Sequence, residues 1–484
     1  MLNRRSFLGA GAAALLAHRL RGAASCTADQ IDVMIQGFAG FRAPKPSLSF
    51  SKPAPGTPAR RPLWSNLMQD DTSQAHYLQT LSKAYTAMKN LKLKDRKSLD
   101  FQVWLHWRWC QLSASDNIHG NSGFLPWHRA LLYYYERLIQ VMACAPDFRL
   151  AAWDWEVMGT SASQVNRAKV PPIYNDSALL PGCGSRMNDR VTPVDPVSSA
   201  AITGWLQPTT SPQTSQTFLG RGEDGYSGNA VSGPHDHVHT SLGGIMGVID
   251  LAAYDPVFFA HHANVDRFFD FWTRRYGSQP GFWNGQTWPA SSPWTFYDAK
   301  SDKFVSVRAE DMLHLESLDY CYDQPRIYLF EFTSLSKLPG NVIRFPPEDI
   351  ENFFNSAWGA LKSAAAELPH LMAALRHCRL PVIARLTSPQ PAAIGSYQLS
   401  LRSDDVHVPL GGFSILHSHH NTGPIRAFLS LGSEHYELLA SAAQKGLALE
   451  CKPALDLSIE SFEIHYPLSP SEWSAFLKSV EDSK

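Results

Sequence analysis

The segment Asp255-Pro256-Val257-Phe258-Phe259-Ala260-His261-His262-Ala263-Asn264-Val265-Asp266-Arg267 sets a pair of adjacent histidines beside an apolar run. The spacing of apolar residues predicts a helix from about Asn264 to Tyr276. Upstream, Pro234-His235-Asp236-His237-Val238-His239 puts His235 and His239 four residues apart, on one face of a helix. Further upstream, Phe124-Leu125-Pro126-Trp127-His128-Arg129 opens a third element. Pro126 suits a first helical turn, where a missing N–H costs nothing, and Trp127, Leu131, Leu132, Tyr135, Leu138 and Met142 continue the helical spacing. His106 falls in a helical pattern over Ser98–Leu112, and His119 sits in a glycine-flanked loop. Two helices and a loop thus bring His106, His119 and His128 toward one point, and His235, His239 and His262 form a second triplet.

A single buried histidine is usually a structural residue with its hydrogen bonds made, but six in two sets are a different matter. With no carboxylate or thiolate regularly interleaved, an all-imidazole donor set suits Zn, Cu, Fe or Ni and disfavours Mg, Ca or Mn. Spacing alone does not choose copper over zinc. The chain is rich in the residues such a site uses, with 19 His, 14 Trp and 11% aromatic residues among 484. Its formal charge of −1 leaves no basic field to gather nucleic acid or anionic lipid, and 44% hydrophobic content suits a folded globular protein.

The rest of the chain falls into zones. Asn3-Arg4-Arg5-Ser6-Phe7-Leu8 precedes an apolar run and an Ala-rich stretch, so residues 1–25 resemble a twin-arginine signal peptide, implying export to the periplasm or beyond. No later stretch is apolar for long enough to span a bilayer, so no membrane partner is expected. Residues 40–62 read as an extended surface segment, Ser73–Lys89 as a helix, and 160–233 as long loops. A linker and helical segment is expected over 326–378, the helix at Glu348–Cys378. Over 379–484, runs such as Tyr397-Gln398-Leu399-Ser400-Leu401 and Ile425-Arg426-Ala427-Phe428-Leu429 read as strands. The expected fold is a mainly α domain over 26–325, a four-helix-bundle core with long loops, followed by a smaller β-rich domain.

The histidine segments resemble those of the type 3 copper proteins, the tyrosinases and catechol oxidases, and most closely the plant-type polyphenol oxidases. The resemblance is specific over about residues 60–325. It continues weakly to Gly412-Phe413-Ser414-Ile415-Leu416-His417-Ser418-His419-His420, similar to a His-rich stretch of the plant enzymes' shielding domain. It implies two copper ions, one on His106, His119 and His128 and one on His235, His239 and His262, leaving out His261 and His237. It implies oxidation of o-diphenols to o-quinones by O2, with small phenols as the partners and the C-terminal domain covering the site. Cys110, four residues after His106, stands where plant-type enzymes join a cysteine to the second histidine by a thioether, which implies a Cys110–His119 cross-link; a buried free thiol is the alternative. Tyr320-Cys321-Tyr322 looks like the family's Tyr-x-Tyr marker, and Arg60-Arg61-Pro62 like arginines that stack near it.

Two departures bear on the chemistry. The glutamate that plant-type sequences place four residues before the first histidine of the second site is Val231 here, and the residue after that histidine is Asp236. Asp236 is a candidate for accepting a proton or orienting water, with a solvated helix residue as the plain alternative. The family's bulky gate residue aligns with Ile249, which implies a more open second site. Asn264 and Asp266 are candidates to fix imidazole tautomers, and Arg129 or Arg267 to pair with such a carboxylate. Rival functions are o-aminophenol oxidation, reversible O2 binding without turnover, and hydrolysis at two zinc ions, although hydrolytic sites usually keep carboxylates and a general base.

Overall fold

The computed structural model describes residues 28–110, 118–155, 169–180, 235–273, 292–322, 342–345, 380–387, 395–415, 425–438 and 448–465, short of single residues or pairs within these spans. The signal-like N-terminus, most of the 160–233 loops, the expected helix Glu348–Cys378, Val231 and the His417–His420 run lie outside them.

Seven helices and twelve strands are described: α1 Ala28–Ala39, β1 Leu48–Ser49, β2 Ala59–Arg61, α2 Trp64–Leu67, α3 Asp71–Lys89, α4 Leu99–Cys110, α5 Phe124–Ala143, α6 Asp236–Leu242, α7 Val257–Trp272, β3 Trp294–Asp298, β4 Lys303–Val307, β5 Tyr320–Tyr322, β6 Val342–Phe345, β7 Leu380–Thr387, β8 Gly395–Ser403, β9 Val406–Ile415, β10 Ile425–Leu431, β11 Ala448–Lys452 and β12 Ser458–His465. Local chemistry sets the ends of the helices. Asp70 caps α3 by accepting from the backbone N–H groups of Thr72 and Ser73. α5 stops where Cys144 turns left-handed at φ 55°, with Ala145 N–H donating back to the Gln140 carbonyl. α7 begins seven residues before the expected Asn264, because Asp255 Oδ1 accepts from Val257 N–H at 3.0 Å and Pro256 supplies a turn-ready φ of −60°. That early start puts His261 and His262 inside the helix. α6 ends at Gly243, whose φ of 60° and ψ of −157° suit a residue without Cβ.

The buried apolar residues between Ile31 and Tyr322 form one connected core, in which α3, α5 and α7 pack together. β3 and β4 pair antiparallel against α5, and Arg137 on α5 makes a two-pronged ion pair with Asp298, at 2.7 and 3.0 Å. β2 runs parallel to β5, so residues 59–61 close on 320–322 and the two ends of the helical region are fastened together. The C-terminal strands form a seven-stranded sheet in the order β11-β8-β9-β10-β7-β12-β6. Alternate residues are buried along it, as in Tyr397, Leu399 and Leu401 of β8 or Val382, Ala384 and Leu386 of β7, which is the period of a pleated strand. Its edge strand β6 comes from the stretch expected to be linker and pairs antiparallel with β12. β8 and β9 also pack on α6, the helix that carries His239.

Candidate metal centre

All six expected histidines lie in one buried cluster, each no more than 2% exposed. In the first triplet the ring centroids of His106, His119 and His128 are 5.0, 5.7 and 5.1 Å apart pairwise. In the second, His235, His239 and His262 stand at 4.6, 4.9 and 5.6 Å. The sets meet face to face, His128 stacking on His262 at 4.3 Å with 13° between planes. α5 and α7 each contribute one of these two rings, so the packing of two long helices fixes how the triplets face each other.

The donor atoms fit a first-row transition ion. Nε2 of His262 lies 3.4 Å from Nε2 of His235 and 3.4 Å from Nε2 of His239. Nitrogens held about 2.0–2.1 Å from one tetrahedral ion stand about 3.3–3.4 Å apart, so the spacing is already that of a coordination edge. His128 Nδ1–H donates to the Phe124 carbonyl at 2.8 Å, and His239 Nδ1–H to the Met246 carbonyl at 2.8 Å. Each bond fixes the tautomer that leaves the Nε2 lone pair for metal. The Nε2 atoms of His106 and His128 are buried with no hydrogen-bond partner, an arrangement that costs about 1–3 kcal/mol per group unless a ligand fills it. Burial lowers the His106, His239 and His262 pKa values and brings that of His128 to about 3, keeping the rings neutral as ligands require.

Two phenylalanines frame the cluster. Phe124 lies 4.6 Å from His128 and 4.8 Å from His235, and Phe258 lies 5.0 Å from His106 and 4.2 Å from His262. Neither stood out in the sequence as a site residue, although each lies within a quoted histidine segment four residues before a ligand-type His, where a helix places it on the same face.

Around the first triplet, Cys110 Sγ sits 3.5 Å from His119 Nδ1 and 3.8 Å from His106 Nδ1, and the thiol donates to the His106 carbonyl. Burial pushes its pKa well up, so it is a neutral thiol and a poor metal ligand. Ile249, 8% exposed, packs against this same Cys110. Its carbonyl lies where it favours a proton on His106. Around the second triplet, fully buried Asp236 turns its Oδ1 to His235 Nδ1 at 2.9 Å. His237 approaches Ser414 of β9 at 3.3 Å and Ser241 at 3.1 Å. His261, left out of the sequence-based set, is here as well: its ligand nitrogen and those of His235, His239 and His262 all lie within 4.8 Å of one another.

Asp266 does not reach the imidazoles through any described bond. It accepts from Arg129 Nε at 2.5 Å and from the hydroxyls of Tyr320 and Tyr322 at 2.7 Å each. Arg61 joins this group, stacking 3.6 Å above the Tyr320 ring and pairing with Glu136 at 2.9 Å. The clamp ties α5 to α7 one residue after His128 and four after His262. Asn264 accepts from Arg267 Nε at 2.8 Å.

Residues 96–197 and 172–275 match the family described as the common central domain of tyrosinase. These matches support a place in the type 3 copper protein family. It is 28% identical over 276 residues to polyphenol oxidase A1, chloroplastic, of Vicia faba, covering 51% of this chain and 45% of that protein. It is 30% identical over 247 residues to tyrosinase HcTyr1 of a Hahella species, covering 45% and 48%. The chain thus spans about half the length of the curated relatives it matches. Among solved structures, the fold is similar to recombinantly expressed latent aurone synthase, with a TM-score of 0.56 at 18% identity, covering 88% of this chain and 93% of that one. It is similar also to latent apple tyrosinase, with a TM-score of 0.50 at 20% identity, covering 87% and 98%. A dinuclear copper site is what the family implies, and two groups of the described residues could hold a metal ion, His235, His239, His261 and His262 in one and His106, Cys110 and His119 in the other. No helix among the described residues is long and apolar enough to cross a membrane.

Proposed function

We propose that the chain is a copper-dependent oxidase of o-diphenols, with His106, His119 and His128 holding one ion and His235, His239 and His262 the other. The observation that carries this reading is the face-to-face approach of His128 and His262, which puts two nitrogen triplets side by side. A copper pair, when bound, supplies two one-electron changes at adjacent centres, the requirement for reducing O2 as two diphenols become two o-quinones and two waters. The chain's own part is to hold six neutral imidazoles, exclude water and receive a flat ring. Phe124 and Phe258 supply apolar walls in contact with both triplets. Asp236 handles charge at the second ion through its bond to the His235 ring. Ile249 shapes the first triplet's side through its contact with Cys110.

The closeness of Cys110 Sγ to the His119 ring supports a Cys110–His119 thioether, detected as a peptide lighter by two hydrogens. The packing of β8 and β9 on α6 supports a C-terminal sheet that covers the second triplet in the full chain. Residues 1–25 serve as a twin-arginine signal. Diphenols are preferred over monophenols, because a monophenol must lose its proton before binding copper and Val231 replaces the family's glutamate.

The test is to load the chain with copper, before and after cutting between residues 323 and 345, and assay it on o-diphenols, o-aminophenols and monophenols. Two coppers per chain and quinone release from o-diphenols, faster after cutting, are expected. Zinc or a single metal overturns the reading, as does reversible O2 uptake with catechol untouched, which would make the chain a carrier. Substituting His128 by Ala is expected to leave one copper per chain and no turnover.

A further inference from the structure

Among the described residues, His261 is a buried histidine that the six-ligand set leaves unused. Its side chain is fully buried in α7, with neither ring nitrogen in a hydrogen bond of ordinary geometry and with the His235 backbone lying where it favours a proton on the ring. A neutral imidazole always carries one N–H donor and one acceptor, and leaving such groups bare in the interior costs about 1–3 kcal/mol each. A ring needed only for packing would be better replaced by Phe or Leu, and its surroundings are already aromatic. His261 stacks on His235 at 5.3 Å and 18°, meets His239 and His262 at 5.1 Å each, and abuts Trp155 at 5.8 Å. One ring nitrogen stands no more than 4.8 Å from a ligand nitrogen of each of the three second-triplet histidines. Opposite donors on a single ion are about 4.2 Å apart, so a small ring rotation brings the fourth nitrogen within bonding reach.

We propose that His261 is a metal-binding residue, a reserve imidazole donor to the ion held by His235, His239 and His262. It rests on the copper reading above and extends the donor set beyond the six residues that the family resemblance supplies. With three donors in place the fourth ring stands beside the ion; when one donor lets go, His261 takes its position before the ion escapes. The nitrogen that faces the triplet then has a use, since the energy lost by burying it is recovered on metal binding. The first triplet has no such spare imidazole among the described residues, and the two ions are expected to differ in how readily they leave.

The experiment follows copper release from the full chain into a chelator, with copper counted by metal analysis and nitrogen donors counted by pulsed electron paramagnetic resonance. His261→Phe keeps the ring volume and removes both nitrogens. It is expected to release the second copper at least about tenfold faster while its metal-free form unfolds at the same or a higher temperature, because an unsatisfied buried group has been removed. His262→Ala is expected to keep a weakened second copper with three nitrogens, and His262→Ala combined with His261→Phe to lose it. Release from His261→Phe at the unsubstituted rate, or equal copper content in the single and double variants, overturns the proposal. If the unsubstituted chain takes up no second copper, the copper reading itself has failed. Should His261→Phe misfold, His261→Gln gives the same two-way outcome.

Discussion

The two triplets use the same ligand chemistry in different surroundings. The first is set on two long helices, α4 and α5, with a three-residue turn between them and a buried thiol against two of its rings. Its His128 leans on a neutral carbonyl. The second hangs partly on α6, only seven residues long, has a carboxylate bonded to one ring and a spare imidazole beside the others, and touches the C-terminal sheet. The difference teaches that donor type fixes which metal can bind, whereas neighbours fix how firmly each ion is held and how its charge is balanced.

The largest effect should come from cutting what the triplets share. Asp266→Ala leaves Arg129 buried without the carboxylate it bonds and Arg61 with Glu136 alone, so a loss of about 3–5 kcal/mol is expected in urea unfolding. Both coppers should be lost together; loss of one alone would show that α5 and α7 hold their sites independently. Acid should also strike both. The His128 pKa is about 3 in the fold against about 6.5 in an unfolded chain, so as pH falls the unfolded chain takes up the proton first. In the metal-free protein this contribution is intact above about pH 6.5 and is lost as pH falls toward about 3, by a few kcal/mol, read as a falling urea midpoint.

The next two changes should separate the triplets. Cys110→Ser removes the proposed cross-link, whose loop of about ten residues implies a loss of roughly 2–3 kcal/mol by analogy with a disulfide. First-site copper should be released faster while the second site is unchanged, as read by chelator kinetics on each site. Asp236→Asn keeps an acceptor and removes the charge, whereas Asp236→Ala removes both. A 10- to 100-fold weakening of second-site copper alone is expected for Asp236→Ala, with Asn between it and Asp. Equal behaviour of Asn and Asp would assign the effect to the hydrogen bond instead of the charge.

Much of this was legible in the chain. Four-residue spacing places His235 and His239 together because a helix turns once in 3.6 residues, and Pro126 marks where α5 begins. The apolar stripe points to a start of α7 near Asn264, whereas Asp255 and Pro256 begin the helix seven residues earlier by local capping. Strands β7, β8 and β10 were readable from alternation; β6 was not, since four residues carry too little pattern without their partner β12. Asp266, a candidate either to orient imidazoles or to pair with an arginine, takes the second course, bonded by Arg129 and the hydroxyls of Tyr320 and Tyr322, and the position in the sequence leaves that choice open.

Composition and spacing by themselves pointed to six imidazoles in two sets, to donors that suit a first-row transition ion, and to helices and one loop as their carriers. These are short-range properties, set by side-chain chemistry and helical pitch. Only the tertiary structure decided that His128 faces His262, that Asp236 bonds to the His235 ring, that Ile249 rests on Cys110, and that His261 stands beside the second triplet. Each of those depends on the packing of segments far apart in the chain, where burial and competing hydrogen-bond partners choose among orientations that the sequence pattern leaves equally open.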